Sequence, residues 1–207
     1  MPENNAALTQ LRERCRAMMK EIYASDGKVV VFGEGNPAAP LVLVGEAPGE
    51  QETLQGKPFV GKAGKNLDGF LDALGIHRED IYITNVVKFR PTKTHPRTGS
   101  LSNRPPNREE IELCYSFLLG ELAAIRPQVV VTLGNVALKA VSDNRKLVIG
   151  DCHGKPLDVD AHDNAFTLFA LYHPASIIYN RSLADTYSED LTRLRDYLDG
   201  RKLLPRR

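Results

Sequence analysis

Two hydrophobic periods alternate along the chain. Leu41-Val42-Leu43-Val44 and Val129-Val130-Val131-Thr132-Leu133 are almost unbroken apolar runs, the pattern of strands buried on both faces of a parallel sheet. Val29–Phe32, Ile81–Val87 and Phe166–Leu171 also have strand composition. Between these runs the spacing lengthens to that of helices. Leu8, Leu11, Cys15, Met18, Met19 and Ile22 predict an amphipathic helix over 7–24, ended by Gly27. Leu67, Phe70, Leu71 and Leu74 share a helical face, with Gly75 as a C-terminal stop. Asn107 and Glu110 make a capping pair for a helix with the apolar face Ile111, Cys114, Leu118, Leu122 and Ile125. Gly134-Asn135 opens a short helix through Val141. Thr186 with Glu189 is the capping pair expected for a final helix that turns Tyr187, Leu191, Leu194 and Leu198 inward. Residues 88–108 carry Pro91, Pro96, Gly99, Pro105 and Pro106 and no period, which predicts a loop. Residues 143–164 predict a short hairpin and turns.

Strands alternating with helices predict an α/β fold: a three-layer α/β/α sandwich around a mostly parallel central sheet. One domain is expected over 1–207, with an N-terminal helix at 7–24, a core at 29–199 and a frayed tail at 200–207. Composition agrees with this but does not extend it: 42% hydrophobic and 26% charged residues are ordinary for a soluble domain of 207 residues. The net charge of +1 means that any affinity for nucleic acid must come from a local patch. Such a patch exists over 88–108, where Lys88, Arg90, Lys93, Arg97, Arg104 and Arg108 occur without an acid. No apolar run approaches the length of a membrane span, and no signal peptide is visible. Cys15, Cys114 and Cys152 are odd in number and form no CxxC pair, which fits a reducing, cytoplasmic setting and completes no metal site.

Ligands of open α/β sheets bind outside the carboxyl ends of the strands. The loops expected there carry Glu46 to Glu52, Phe59, Asn85 and His173. Phe59 offers a flat apolar face. The Asn85 amide is both donor and acceptor, as pairing with a base edge requires. His173 can donate a hydrogen bond to a developing anion. Ile177 and Ile178 can wedge between bases. Together these describe a pocket for a flipped base. Taken singly, each also fits a plainer role: Phe59 and the isoleucines as core, Asn85 as a turn former, His173 as a structural histidine, the basic loop as solvated surface.

Gly45-Glu46-Ala47-Pro48-Gly49-Glu50, Gly56-Lys57-Pro58-Phe59-Val60-Gly61, Tyr82-Ile83-Thr84-Asn85-Val86-Val87-Lys88 and His173-Pro174-Ala175 resemble, in order, the motifs of the uracil-DNA glycosylase superfamily, and of its family 4 most of all. Phe32-Gly33-Glu34-Gly35-Asn36-Pro37 resembles the segment before the first motif. The resemblance implies a monofunctional enzyme of base excision repair, expected as a monomer acting on uracil-containing DNA away from membranes. It implies that Phe59 stacks on the flipped uracil, Asn85 reads its Watson–Crick edge, His173 bonds O2 of the leaving anion, and main chain around Glu46 and Ala47 binds uracil oxygens. Glu46 would orient water or stabilise the sugar cation, and Glu50 or Glu52 would crowd the 5-position. A Ser176-Ile177-Ile178 loop would fill the gap in the duplex, with Lys88 and Arg90 near the DNA backbone. A binding module without turnover and a glycosylase for hypoxanthine or xanthine are the competing expectations.

Two departures from the family stand out. Its members usually hold an iron–sulfur cluster on four cysteines; here Cys114 matches one and Cys15 is a candidate for another, while Phe89 replaces cysteine and Met18 stands where a CxxC pair would close. No cluster and no other cofactor is expected. The stretch Thr92 to Asn103 resembles an insertion between the Phe89 and Cys114 positions.

Overall fold

A computed structural model describes residues 2–24, 27–161 and 164–203. The apolar runs form the middle of a sheet in the order β1-β3-β2-β6-β8-β7. Strands β2 (Leu41–Gly45), β3 (Tyr82–Asn85), β6 (Val129–Leu133) and β8 (Asn164–Leu171) are parallel. The edges β1 (Glu34–Gly35) and β7 (Pro156–Ala161) run antiparallel to their neighbours. Alternate side chains enter two separate cores. Val42, Val44, Val130 and Leu168 pack with α1 (Pro2–Ile22), α4 (Arg108–Ile125) and α5 (Asn135–Val141). Leu41, Leu43, Val131 and Phe169 pack with α3 (Lys62–Leu74) and α8 (Leu183–Gly200). The three-layer expectation therefore holds, for the stated reason: strands without a polar face need cover on both sides.

Several local expectations hold too. Gly75 adopts φ 69 at the end of α3, the left-handed cap that glycine permits. Asn107 and Glu110 form a reciprocal capping box at the start of α4.

Others are corrected. The first helix begins at Pro2 rather than residue 7; a first-turn proline needs no N–H and Glu3 suits the helix N-terminus. Val29–Phe32 is no strand; Val31 N–H donates to the Lys88 carbonyl (2.7 Å) and the side chains of Val31 and Phe32 serve the core. The stretch 88–108 is not a plain loop. It holds a hairpin of β4 (Thr92–Thr94) and β5 (Leu101–Asn103). Residues 143–164, expected as a short hairpin and turns, contain the helix α6 (Ile149–Cys152) and the strand β7, which pairs antiparallel with β8. Thr186 does not cap α8, which already starts at Leu183 after a turn in which the Asn180 side chain accepts from Ser182 N–H (3.1 Å). Residues 176–178 lie not in a loop but in α7 (Pro174–Tyr179). Of the expected frayed tail, 204–207 lie outside the described residues. Among the described residues no helix is long and apolar enough to cross a membrane.

Candidate active site

The chain order of the parallel strands reverses between β2 and β6, the place where an open α/β sheet parts its loops. The turn after β2 carries Glu46, β3 ends on Asn85, and β8 leads into His173. Beyond the last ladder pair of β2 and β3, Gly45 with Asn85, the two chains stay together: Val86 N–H donates to the Gly45 carbonyl (2.9 Å) and Val87 N–H to that of Glu46 (3.0 Å). Gly45 is needed for space, since a Cβ there would strike both the Asn85 amide oxygen and the Phe59 ring. Asn85 and Phe59 therefore meet over one residue, although 26 positions separate them in sequence.

Phe59 is buried and held in the left-handed region at φ 54, unusual for a bulky side chain. Its carbonyl accepts from Arg78 Nη2 (2.5 Å), and Gly64 leaves room for that carbonyl. The ring lies 6.0 Å from that of His173, with 29° between the planes. Glu52 ties the two loops around this pair. Its Oε1 accepts from Val60 N–H (2.9 Å) and Gly61 N–H (2.7 Å), its Oε2 from Gly49 N–H (3.1 Å).

His173 Nδ1 accepts a hydrogen bond from Ala175 N–H (3.1 Å). A nitrogen that accepts from an N–H carries no proton, so the neutral ring holds its proton on Nε2 and can donate from there. Burial pushes its pKa down to about 4, against a smaller opposing effect of the Glu52 charge. Burial also raises the pKa of Glu46. The site thus combines a neutral donor, a carboxyl in a partly dry setting, a base-edge amide and an aromatic face. That set can bind a planar base and stabilise opposite charges developing on either side of a breaking bond.

The structure thus brings Glu46, Ala47, Phe59, Asn85 and His173 to the loops at one end of the sheet. Other expected site residues go elsewhere. Glu50 is exposed and ion-paired to Arg90 (3.2 Å), and Glu52 turns its oxygens to backbone N–H groups, so neither supports the expected acid at the base 5-position. Lys88 is no surface cation: its side chain is 0% exposed and ion-paired with Glu121, because it follows Val86-Val87 into the core. Arg90 stays near the surface, where Nε also donates to Asn103 Oδ1 (2.7 Å) at the hairpin root. Ser176 N–H bonds to the His173 carbonyl (2.7 Å) in the first turn of α7, and Ile177 packs partly against the α3–α8 core. The side chain of Ile178 lies outside the described residues.

Sequence reasoning missed Glu121, Asn66 and Arg78. Glu121 stands on the Leu118–Leu122–Ile125 face of α4, which was its available signal. Asn66 Nδ2 holds the Pro174 carbonyl (3.1 Å) and so ties α3 to the turn after His173. Nothing in the spacing of Asn66 or Arg78 pointed to these bonds.

Cys15, Cys114 and Phe89 lie in one apolar core, with Met18 packed against it. Burial, and the neighbouring Cys114, push the Cys15 thiol up to about 12; burial also raises Cys114. Cys152 lies on α6, where its Sγ bonds to the Val148 carbonyl (3.3 Å). A four-thiolate cluster needs four such ligands, and Met18 and Phe89 supply none, so this donor set does not fit it. Among the described residues no group of three or more His, Cys, Asp or Glu is placed to hold a metal ion.

Comparison with known proteins agrees with this geometry. The chain is 41% identical over 175 residues to the type-4 uracil-DNA glycosylase of Archaeoglobus fulgidus, spanning 83% of each protein. It is 40% identical over 171 residues to that of Thermotoga maritima, spanning 82% of this chain and 83% of the relative. With the Saccharolobus solfataricus enzyme of the same name it shares 36% over 180 residues, 85% of this chain and 79% of the relative. A model of the uracil DNA glycosylase superfamily matches residues 32–198, from the buried Phe32 to the last core leucine of α8 and so across every loop of the site. The chain belongs to the uracil DNA glycosylase superfamily.

Proposed function

We propose that this chain is a monofunctional DNA glycosylase that extrudes uracil from DNA and hydrolyses its N-glycosidic bond. The observation that carries this reading is the meeting of the Phe59 ring, the Asn85 amide and a neutral Nε2–H imidazole at the carboxyl ends of the parallel strands. The names of its relatives support the same substrate.

The roles follow from charge. A flipped uracil stacks on Phe59 and presents O4 and N3–H to the donor and acceptor of Asn85; cytosine presents the opposite pattern at these positions. The C1′–N1 bond breaks with its electron pair passing to uracil. His173 Nε2–H donates to O2 of the resulting anion, and main chain near Ala47 meets other uracil oxygens. Glu46, as the carboxylate, stabilises the cationic sugar or orients the water that adds to C1′. A donor aimed at the anion in a dry site supports about 3 kcal/mol of barrier lowering. No step needs a metal or redox group, and the enzyme works without an iron–sulfur cluster. In its place, Phe89 packs against Tyr23 (ring centroids 5.1 Å), with Lys28 Nζ over both rings. Arg90 and the stretch of α7 from Ser176 to Ile178 flank the DNA, and the enzyme acts as a monomer in the cytoplasm.

The test is base release from oligonucleotides with one uracil, single- and double-stranded, beside hypoxanthine and xanthine substrates. Uracil release is expected. Release of another base alone, or tight DNA binding with no release, would replace this reading.

A further inference from the structure

Lys88 and Glu121 are both fully buried, and neither is where a lysine or a glutamate ordinarily goes. Each is satisfied by several partners. Lys88 Nζ donates to the Glu121 carboxylate, to Thr84 Oγ1 (2.8 Å) and to the Asn85 carbonyl (2.6 Å). Glu121 also accepts from Tyr82 Oη (2.8 Å), Thr84 Oγ1 (3.0 Å) and Gly33 N–H (3.1 Å). The Phe32 ring lies 5.4 Å from the Lys88 ammonium.

Stability alone does not account for this arrangement. Two buried charges lose much hydration, and a well-packed apolar pair of similar volume is often as stable or more so. The ammonium supplies something an apolar group cannot, a donor for the carbonyl of Asn85. This residue closes β3. Past it the chain leaves the ladder, and its carbonyl is taken not by a neighbouring strand but by a cation anchored on α4. Recognition groups need placement within about 0.5 Å, and small misplacements are costly in turnover.

We propose that the Lys88–Glu121 pair positions the base-reading amide: it fixes the Asn85 backbone, and thereby the side chain that meets the uracil edge. Lys88 and Glu121 are positioning residues, since neither touches the substrate. The inference rests on the reading of Asn85 given above.

Lys88→Met alone would strand the Glu121 charge in the core, so the informative protein is Lys88→Met/Glu121→Gln, which removes both charges at similar volume. Four quantities are read well below its melting temperature: kcat and KM on a single-uracil duplex, affinity for undamaged duplex, and inhibition by free uracil. Duplex affinity should stay within about twofold, while kcat falls and uracil inhibition weakens, each about tenfold, the size of one hydrogen bond to a charged group. A folded double variant with wild-type kcat and wild-type uracil inhibition would overturn the proposal and leave the pair a structural one. Should the double variant not fold, Thr84→Val, which removes one partner of each charge at constant shape, serves instead. About a threefold weakening of uracil inhibition is expected, in proportion to a smaller disturbance of the same bonds, and no change overturns the idea. Wild-type protein that releases no uracil defeats the functional reading itself, and this inference with it.

Discussion

The ends of β3 and β8 use the same dry interior in opposite ways. Under Asn85 an ammonium and a carboxylate face one another, and every bond they make is strengthened by the lack of water. Around His173 the ring is given no anionic partner within hydrogen-bond reach among the described residues. It receives a backbone N–H on Nδ1, faces an aromatic ring, and loses its charge to burial. The difference follows the tasks proposed for the two groups. On that reading the group that reads must be held, and charge holds it, while the group that assists departure must stay neutral so that its proton remains free to give, and burial keeps it so.

Removing either end should separate the two tasks. His173→Ala should lower kcat by about a hundredfold or more, as loss of an anion donor does elsewhere, with duplex affinity changed only a few-fold. Equal losses in both would place His173 in binding and erase the contrast. Asn85→Asp exchanges a donor for an acceptor, and selectivity for uracil over cytosine should fall about tenfold or more, read as release from matched oligonucleotides. Unchanged selectivity would remove Asn85 from base reading.

The pH dependence sharpens the comparison further. His173 has a folded pKa of about 4 against an ordinary value of 6.5, so between these limits the unfolded chain binds more proton than the folded one. Stability from this group is therefore complete above about pH 6.5 and is lost as pH falls towards 4. Its ring resonances in a proton-NMR titration should move near pH 4, and the stability loss should be absent in His173→Ala. The smallest effect is expected outside the site. Lys93→Ala with Arg97→Ala on the exposed hairpin should reduce the salt dependence of DNA binding by about one unit of log–log slope for each phosphate no longer neutralised, with turnover at low salt nearly unchanged. An unaltered slope would leave the hairpin without a part in DNA binding.

The layered fold was legible because Leu41–Val44 and Val129–Leu133 are apolar on both faces and can exist only under two layers. The Asn107 box was legible because its bonds are local. Lys88 was misjudged because charge near a basic loop looks like surface; that Val86, Val87 and Phe89 enclose it in sequence was the contrary sign. Its partner comes from 33 residues away on another element, and no local pattern carries such a pairing. Glu52 was misjudged for a related reason. Its partners are backbone N–H groups of a second loop, which have no side chain to advertise them. The hairpin at 92–103 was hidden by Pro96, by the flanking Pro91, Pro105 and Pro106, and by exposed strands that lack an apolar face.

Phe59 has a consequence in time. Its backbone is set at φ 54, its carbonyl is held by Arg78 in the space that Gly64 leaves, and its ring is already beside His173. A ring so constrained has little freedom to swing out and return. On the proposed reading an arriving base meets a finished surface, so stacking should add no slow rearrangement after extrusion. In rapid-mixing experiments the approach to the stacked state should then be limited by how fast the duplex opens, and should follow the strength of the base pair being broken.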